Sequence, residues 1–355
     1  ITFGQTLASS SLSGGAASLG SASVAGSFAF TSPSTSPNAG TANQSVTFTP
    51  TDTANFNTAT VNVSVTVAKA TPSITTNPSA SGITYGQSLA LSSLSNGAAS
   101  VAGSFAFTSP STVPNAGTSS QSVTFTPTST SNYNTVTTSV SVTVAKATPS
   151  ITTVPTASAI TFGQTLSSST LSGGVGAVAG SFGFTDSTVK PNAGTNSQSV
   201  TFTPSDSTNY NTATTTVSVT VNKATPTVTT NPTASSITYG QALSSSTLSG
   251  GVGSVPGTFA FTSPSTSPNA GTASQGVTFT PTDTANYTAT TLNVSVTVAK
   301  ATPSITTVPT ASNITYGQTL VSSSLSGGAA STAGSFAFTS PSTAPNAGTA
   351  SQGVT

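Results

Sequence analysis

Residues 140–149 have the sequence VSVTVAKATP, which contains both features that decide the fold of this chain. The first half alternates valine with serine and threonine, the period-two pattern of a β-strand with one buried face. The second half, Lys-Ala-Thr-Pro, recurs at regular intervals and begins at Lys69, Lys146, Lys223 and Lys300. Strands that end each time at the same tetrapeptide predict a tandem array of small β domains.

A second marker gives the length of the repeat. The tetrapeptide Ile-Thr-(Phe/Tyr)-Gly, followed by Gln, recurs with glycine spacings of 82, 77, 77 and 77 residues. Its glycines are Gly4, Gly86, Gly163, Gly240 and Gly317. The first spacing contains five extra residues near Leu19–Ser23, in a polar loop where an insertion costs little.

The lysine markers also predict the domain boundaries. The predicted domains are 1–69, 70–146, 147–223, 224–300 and 301–355. The first lacks its opening strand and the last lacks its closing strands. We therefore expect the sequence to be a segment of a longer array.

Within 70–146 the apolar pattern predicts strands separated by turns. Period-two alternation with Val, Thr and aromatic residues, broken every 8–12 residues by Gly, Pro or Asn, is typical of a β-sandwich. Leu89, Leu91 and Leu94 continue the apolar series. The predicted strands lie at 73–76, 83–85, 105–107, 123–126 and 140–144.

Two turn motifs separate these strands. Leu-Ser-Gly-Gly is replaced by Leu94-Ser95-Asn96-Gly97 in the second repeat, which predicts a type I′ hairpin with positive φ at both central residues. In Pro-Asn-Ala-Gly-Thr, the glycine is predicted to supply positive φ at the entry to a strand. The alternative is that the Pro-Asn-Ala-Gly-Thr loops form a repeated ligand-binding edge.

The composition excludes several classes of function. Charged residues make up 3% of the chain, the formal net charge is +1, and there is no His or Cys. The chain therefore offers no imidazole base, thiolate or cluster of carboxylates, and we expect no enzyme activity, no catalytic residue, no metal site and no cofactor. A neutral surface also argues against nucleic-acid binding, and no apolar run is long enough for membrane insertion.

The order of motifs resembles the bacterial Ig-like repeats of large secreted and cell-surface, adhesin-like proteins. The residues that carry the resemblance are Gly-Ser-Phe-Ala-Phe, Ala-Gly-Thr, Val-Thr-Phe-Thr-Pro, Asn-Tyr and Val-Ser-Val-Thr-Val-Ala-Lys-Ala-Thr-Pro. The resemblance implies an all-β tandem array of immunoglobulin-like β-sandwich domains of about 77 residues. It also implies an extracellular or cell-surface location and a spacer role without catalytic residues.

The spacing of Asp206 and Tyr210 resembles the Asp-to-Tyr element of the tyrosine corner in such sandwiches. The match is incomplete, because Ser129 replaces the Asp in the second repeat and Phe56 replaces the Tyr in the first. Since Phe56 has no hydroxyl, we expect the ring to act through packing.

The repeated lysines allow two interpretations. Some surface proteins crosslink Lys to Asn inside Ig-like domains with the help of a buried carboxylate, but the second repeat contains no acid. A solvated charge that discourages pairing at a sheet edge is the simpler interpretation, and we favour it.

Three functions remain open at this point. The first is an elongated stalk or spacer whose partners are neighbouring repeats of the same chain, with glycan or cell-surface contact through domains outside this segment. The second is a filament or sheath of identical chains, which the uncharged Ser/Thr-rich faces favour. The third is a carbohydrate-binding adhesin module, which the six tyrosines at mostly alternating core positions argue against.

Overall fold

A computed structural model describes residues 1–355, and it contains β-strands, turns and single-turn 3-10 helices but no α-helix. No helix in it is long and apolar enough to cross a membrane. The second repeat lies wholly in one compact unit and the fourth repeat wholly in another. The first unit comprises 1–158, 169–188 and 197–219, and the second comprises 159–168, 189–196 and 220–355.

The second repeat contains eight strands and one 3-10 helix, Leu89–Leu91. The strands are β1 (Ile74–Thr76), β2 (Ser79–Ala80), β3 (Ile83–Thr84), β4 (Leu94–Ser95), β5 (Ala98–Ala99), β6 (Gly103–Phe107), β7 (Gly117–Pro127) and β8 (Val136–Ala145).

These strands form two layers. One layer is a four-stranded sheet in the order β6-β7-β8-β3, in which β3 runs parallel to β8 and the other neighbours are antiparallel. The other layer consists of the short antiparallel pairs β1–β5 and β2–β4. An early strand of the repeat, β3, thus lies beside its last strand, β8. The N–H of Tyr85, which follows β3, continues this pairing by donating to the carbonyl of Ala145 at 2.8 Å.

The core lies between the two layers. Alternate residues of β7 and β8 point inward, and Val123 and Val142 are fully buried. Leu89 and Phe107 belong to the same buried hydrophobic cluster as these two valines, and Leu94 of the short layer packs against this cluster. On β8 the neighbours of Val142 in sequence are the exposed Ser141 and Thr143, so the strict alternation of this strand separates core from surface.

The fourth repeat has the same sheet order and a core of the same composition. Its strands are Val228–Thr230, Thr233–Ala234, Ile237–Thr238, Leu248–Ser249, Val252–Gly253, Gly257–Phe261, Gly271–Pro281 and Thr290–Ala299, with a 3-10 helix at Leu243–Ser245.

The other repeats contain the corresponding elements. The first has Leu7–Ser9 (3-10), Ala17–Leu19, Ala22–Val24, Gly26–Phe30, Gly40–Pro50 and Ala59–Val67. The third has Ile151–Thr153, Thr156–Ala157, Ile160–Thr161, Leu166–Ser168 (3-10), Leu171–Ser172, Val175–Gly176, Gly180–Phe184, Gly194–Pro204 and Ala213–Asn222. The fifth has Ile305–Thr307, Thr310–Ala311, Leu320–Ser322 (3-10), Leu325–Ser326 and Ala329–Ala330.

This architecture confirms the predicted fold class, an all-β tandem array of immunoglobulin-like β-sandwiches. The five predicted strands of the second repeat coincide with β1, β3, β6, β7 and β8. The leucine series differs from the prediction, because Leu89–Leu91 forms a 3-10 helix in which Leu89 is buried and Leu91 is 64% exposed.

The predicted type I′ hairpin at Leu-Ser-Asn-Gly is wrong. Asn96 has φ 60°, but Gly97 does not have a positive φ. The flanking strands do not pair with each other, since β4 pairs with β2 and β5 pairs with β1. The segment crosses between strand pairs, and the second glycine is needed for space, because a Cβ at Gly97 would lie 2.8 Å from the ring of Phe105.

We expect Gly97→Ala to destabilise the second repeat by on the order of 1 kcal/mol, because the Phe105 ring must move to admit a methyl group. Hydrogen exchange of the full chain in increasing concentrations of denaturant measures the effect at the amides of the second repeat. Gly183→Ala is the matched control, since a Cβ there meets nothing within 4 Å. Equal effects of the two substitutions would contradict this role of Gly97.

The prediction for the other turn motif is confirmed. Gly117 opens β7 with φ 120°, and Gly40, Gly194 and Gly271 open the corresponding strands with φ between 119° and 125°. The five-residue insertion of the first repeat differs from the polar loop we expected. It completes a hairpin in which Ala17–Leu19 pairs with Ala22–Val24, and Gly20 at φ 61° forms its turn.

Candidate functional site: the junction between repeats

The linker between the second and third repeats is bound along the third repeat. Ala147 N–H donates to the carbonyl of Asn209 at 3.0 Å, and its own carbonyl accepts from Asn211 N–H at 2.8 Å. Ala70 and Ala224 make the same parallel bridges, to Tyr133 and Tyr287. Because both backbone groups of the linker alanine are bonded, this residue is not free to act as a hinge.

The repeated lysine reaches the same loop of the following repeat. Lys146 Nζ donates to the carbonyl of Ser207 at 2.6 Å. Lys69 and Lys223 make equivalent bonds, to the carbonyls of Thr130 and Thr284, each at 2.7 Å. The interpretation of these lysines as charges that guard a sheet edge is therefore wrong. Lys69, Lys146 and Lys223 each tie the end of one repeat to a loop of the next.

An asparagine of that loop binds the preceding repeat directly. Asn209 is 6% exposed, and its Oδ1 accepts from the backbone N–H of Ala116 at 2.8 Å. Ala116 is the alanine of the Pro-Asn-Ala-Gly motif, so this motif is the docking surface for the next repeat. The pairs Ala39–Asn132 and Ala193–Asn286 form the same bond at the same distance of 2.8 Å.

A pair of aromatic rings closes each of the first three junctions along the chain. The ring of Tyr85, from the Ile-Thr-Tyr-Gly motif, packs edge-on against Tyr210 of the next repeat, with centroids 5.3 Å apart and an interplanar angle of 83°. The other two junctions contain the pairs Phe3–Tyr133 and Phe162–Tyr287 in the same geometry. Edge-to-face contacts of this kind are worth about 0.5–1.5 kcal/mol beyond the area they bury.

An aspartate holds the docking asparagine in two of the three junctions. Asp206 accepts from the side chain of Asn209 at 2.8 Å and from its backbone N–H at 3.2 Å. The side-chain bond is the main reason that the pKa of Asp206 lies below its usual 3.8, and the charge of Lys146 acts in the same direction. Asn286 and Lys223 lower the pKa of Asp283 in the same way.

We expect acid to loosen these two junctions. Because the pKa of each aspartate is lower in the folded chain, its contribution to stability is complete above the usual value of 3.8 and is lost as the pH falls through the lowered value. Protection of the Ala116 and Ala193 amides against hydrogen exchange, corrected for the intrinsic pH dependence, should therefore decrease as the pH is lowered below 3.8.

The first junction is the internal control for this prediction. Ser129 stands where the other loops have Asp, yet Asn132 still binds Ala39. Protection of the Ala39 amide should therefore stay constant while the other two decrease. A parallel decrease at all three amides would show that the aspartates do not position the junction.

The Asp-to-Tyr spacing that resembled a tyrosine corner belongs to this loop. Tyr210 N–H donates to the carbonyl of Asp206 at 3.2 Å, and the tyrosine ring lies in the junction. The structure thus supports the interpretation that the ring acts through packing. The alternative of a ligand-binding Pro-Asn-Ala-Gly edge is not supported at the three junctions, where the following repeat occupies the alanine N–H.

The docking asparagine was not predicted from the sequence. A signal for it exists in the repeats themselves, since Asn55, Asn132, Asn209 and Asn286 occupy the same loop position. The neighbouring Asp and Tyr positions each change once among these loops. A polar residue that stays fixed while its neighbours vary indicates a specific bond, but the sequence does not reveal that the partner lies 93 residues earlier.

A concave surface in the fifth repeat is lined by Leu320, Phe336 and Phe338 among other residues. In the second repeat the corresponding residues are Leu89, Phe105 and Phe107, which belong to the core or pack against it. The groove therefore consists of core positions and is not a separate ligand site.

No protein-family model matches the sequence, and no curated protein matches it. Among solved structures, Sidekick-1 immunoglobulin domains 1-5 are similar at 11% identity and a TM-score of 0.24, over 79% of this chain and 72% of that one. An I-band fragment of titin is similar at 10% identity and a TM-score of 0.31, over 65% and 99%. Drosophila N-cadherin EC1-4 is similar at 10% identity and a TM-score of 0.23, over 74% and 84%.

Proposed function

We propose that the chain is a non-enzymatic structural repeat region of a large bacterial extracellular or cell-surface protein, in which docked immunoglobulin-like domains act as an elongated stalk or spacer. The observation that carries the proposal is the repetition of one junction three times. Each copy combines a bound linker, a lysine, a docking asparagine and a ring pair.

The physical reason is the cost of bending. Rotation of one repeat against the next must break the Asn–Ala bond and separate the rings. Loss of a bond that leaves a partly buried N–H without an acceptor costs about 1–3 kcal/mol. A joint with such a cost keeps neighbouring domains in a fixed orientation, which a spacer requires.

The surface chemistry is consistent with this role. Exposed residues of the long strands are mainly Ser and Thr, which need no charged partner and form hydroxyl pairs such as Thr118–Thr143 at 3.2 Å. The expected core positions of the tyrosines are wrong, since Tyr239 and Tyr316 are exposed and the rings of the other four, Tyr85, Tyr133, Tyr210 and Tyr287, lie half-buried in junctions. A carbohydrate-binding role is less well supported, because only two aromatic rings of this kind are exposed.

Small-angle X-ray scattering of the full chain tests the proposal. A strand of nine residues spans roughly 30 Å, so five repeats in line should give a maximum dimension on the order of 150 Å. The triple variant N132A/N209A/N286A should give a broader distribution of dimensions at the same fold content. A compact globule for the unmodified chain would rule out the spacer.

A further inference from the structure

The outer strand of each four-stranded sheet has one side without a partner strand. In the second repeat this strand is β6, the first in the order β6-β7-β8-β3. Thr108 N–H donates to Ser122 at 3.0 Å, and Thr128 N–H donates to Ala102 at 2.9 Å. Bonded pairs alternate along an antiparallel ladder, so the peptide groups of Phe105 and Phe107 point away from β7, towards the open edge.

This edge carries none of the features that usually prevent edge-to-edge pairing, which are charges, prolines and bulges. β6 has the sequence GSFAF and pairs with β7 without a register shift. Its outward-facing side chains, Ser104 and Ala106, are small and exposed. The corresponding strands of the first, third and fourth repeats read GSFAF, GSFGF and GTFAF.

The charges of the chain lie off these edge strands, and the nearest, Asp186 and Lys190, lie in the loop that follows the strand Gly180–Phe184. The junction lysines follow β8, two strands away from β6 in the sheet, and their Nζ atoms bind loop carbonyls. The aspartates lie in loops and accept hydrogen bonds from nearby Asn or Thr residues. No charged side chain is therefore present on β6 or its counterparts to repel an approaching strand.

We propose that the β6 edge pairs antiparallel with the same edge of a second copy of this chain, so that two four-stranded sheets become one continuous sheet. An antiparallel strand pair is complementary to itself, which suits a two-fold interface between identical copies. The uncharged edges of two copies do not repel each other, and the new bonds continue an existing ladder. Three four-stranded sheets and the three-stranded sheet of the first repeat each end in such a strand, so several weak pairings can act together.

Sedimentation equilibrium of the full chain over a wide concentration range tests this inference. The unmodified chain should increase in mass with concentration. The variant A29K/A106K/G183K/A260K, which places one lysine on each edge strand, should remain monomeric over the same range. The control S64K/S141K/S218K/S295K adds the same charge at exposed positions on the strands equivalent to β8, and it should still associate.

A second measurement does not depend on any substitution. Hydrogen exchange of the unmodified chain should become slower at the amides of Phe105 and Phe107 as concentration rises, while exchange at Val142 should not change. Monomeric behaviour of the unmodified chain at all concentrations would overturn the proposal. Equal loss of association in the edge variant and the control would also overturn it, because the contact would then involve sheet faces. The test is independent of the spacer function, which concerns junctions within one chain.

Discussion

Phe125→Ala is expected to raise the unfolded fraction of the second repeat far above that of the neighbouring repeats. Phe125 is 1% exposed, and its ring lies against Phe105, with centroids 4.9 Å apart. A Cβ at Gly103 would lie 2.4 Å from the same ring, so the backbone of β6 packs directly on it. Removal of a fully buried phenylalanine ring costs about 3–5 kcal/mol, because contacts are lost and a cavity remains.

A domain of this size has a total stability of only about 4–11 kcal/mol, so the substitution removes a large part of it. Hydrogen exchange of the full chain is the suitable measurement, because it reports each repeat separately. Protection in the second repeat should fall by roughly two to three and a half powers of ten, since 1.4 kcal/mol corresponds to a factor of ten.

The control is Leu91→Ala, which removes an exposed apolar side chain from the same repeat and should change protection little. The fourth repeat should keep its protection in both variants. An equal decrease in the second and fourth repeats would show that the array unfolds as one cooperative body, which contradicts independent sandwiches.

Asn209→Ala is expected to uncouple the second and third repeats without unfolding either of them. The substitution removes the acceptor of the Ala116 N–H, which costs about 1–3 kcal/mol when that group is kept from water. It also removes the side-chain bonds that Asn209 donates to Asp206 and to Asn115. NMR relaxation of the full chain should then show faster independent tumbling of the repeats on either side.

Asn222→Ala is the matched control for this experiment. Asn222 is exposed at the end of its strand, and Ala145 and Ala299 occupy the same position in the second and fourth repeats. This variant should tumble like the unmodified chain. If the Asn209→Ala variant also tumbles like the unmodified chain, the ring pair and the linker hold the junction without the asparagine.

The sequence predicted the long strands well because their pattern is local. Val140, Val142 and Val144 alternate with Ser and Thr, and a period of two is sufficient to predict a strand with one buried face. The positive φ of Gly117 was predictable for the same reason, since a glycine at the entry to a strand has few other uses.

The errors concern contacts between distant residues. The pairing of β4 with β2 and of β5 with β1 depends on tertiary packing, so the Asn96-Gly97 dipeptide alone suggested a hairpin that does not form. The role of Lys146 depends on a carbonyl 61 residues later, and the role of Asn209 depends on an amide 93 residues earlier. The period-two pattern of the strands does not indicate which residues 61 or 93 positions apart come into contact.

Single-molecule stretching of the full chain between its ends tests whether each repeat is an independent sandwich. Because each complete repeat has its own packed core, it should resist the applied force and then unfold in one step. For the three complete repeats, a period of 77 residues at about 3.4 Å per residue, less a folded length of about 30 Å, predicts equal steps of roughly 230 Å. One large step, or steps of irregular length, would contradict the account.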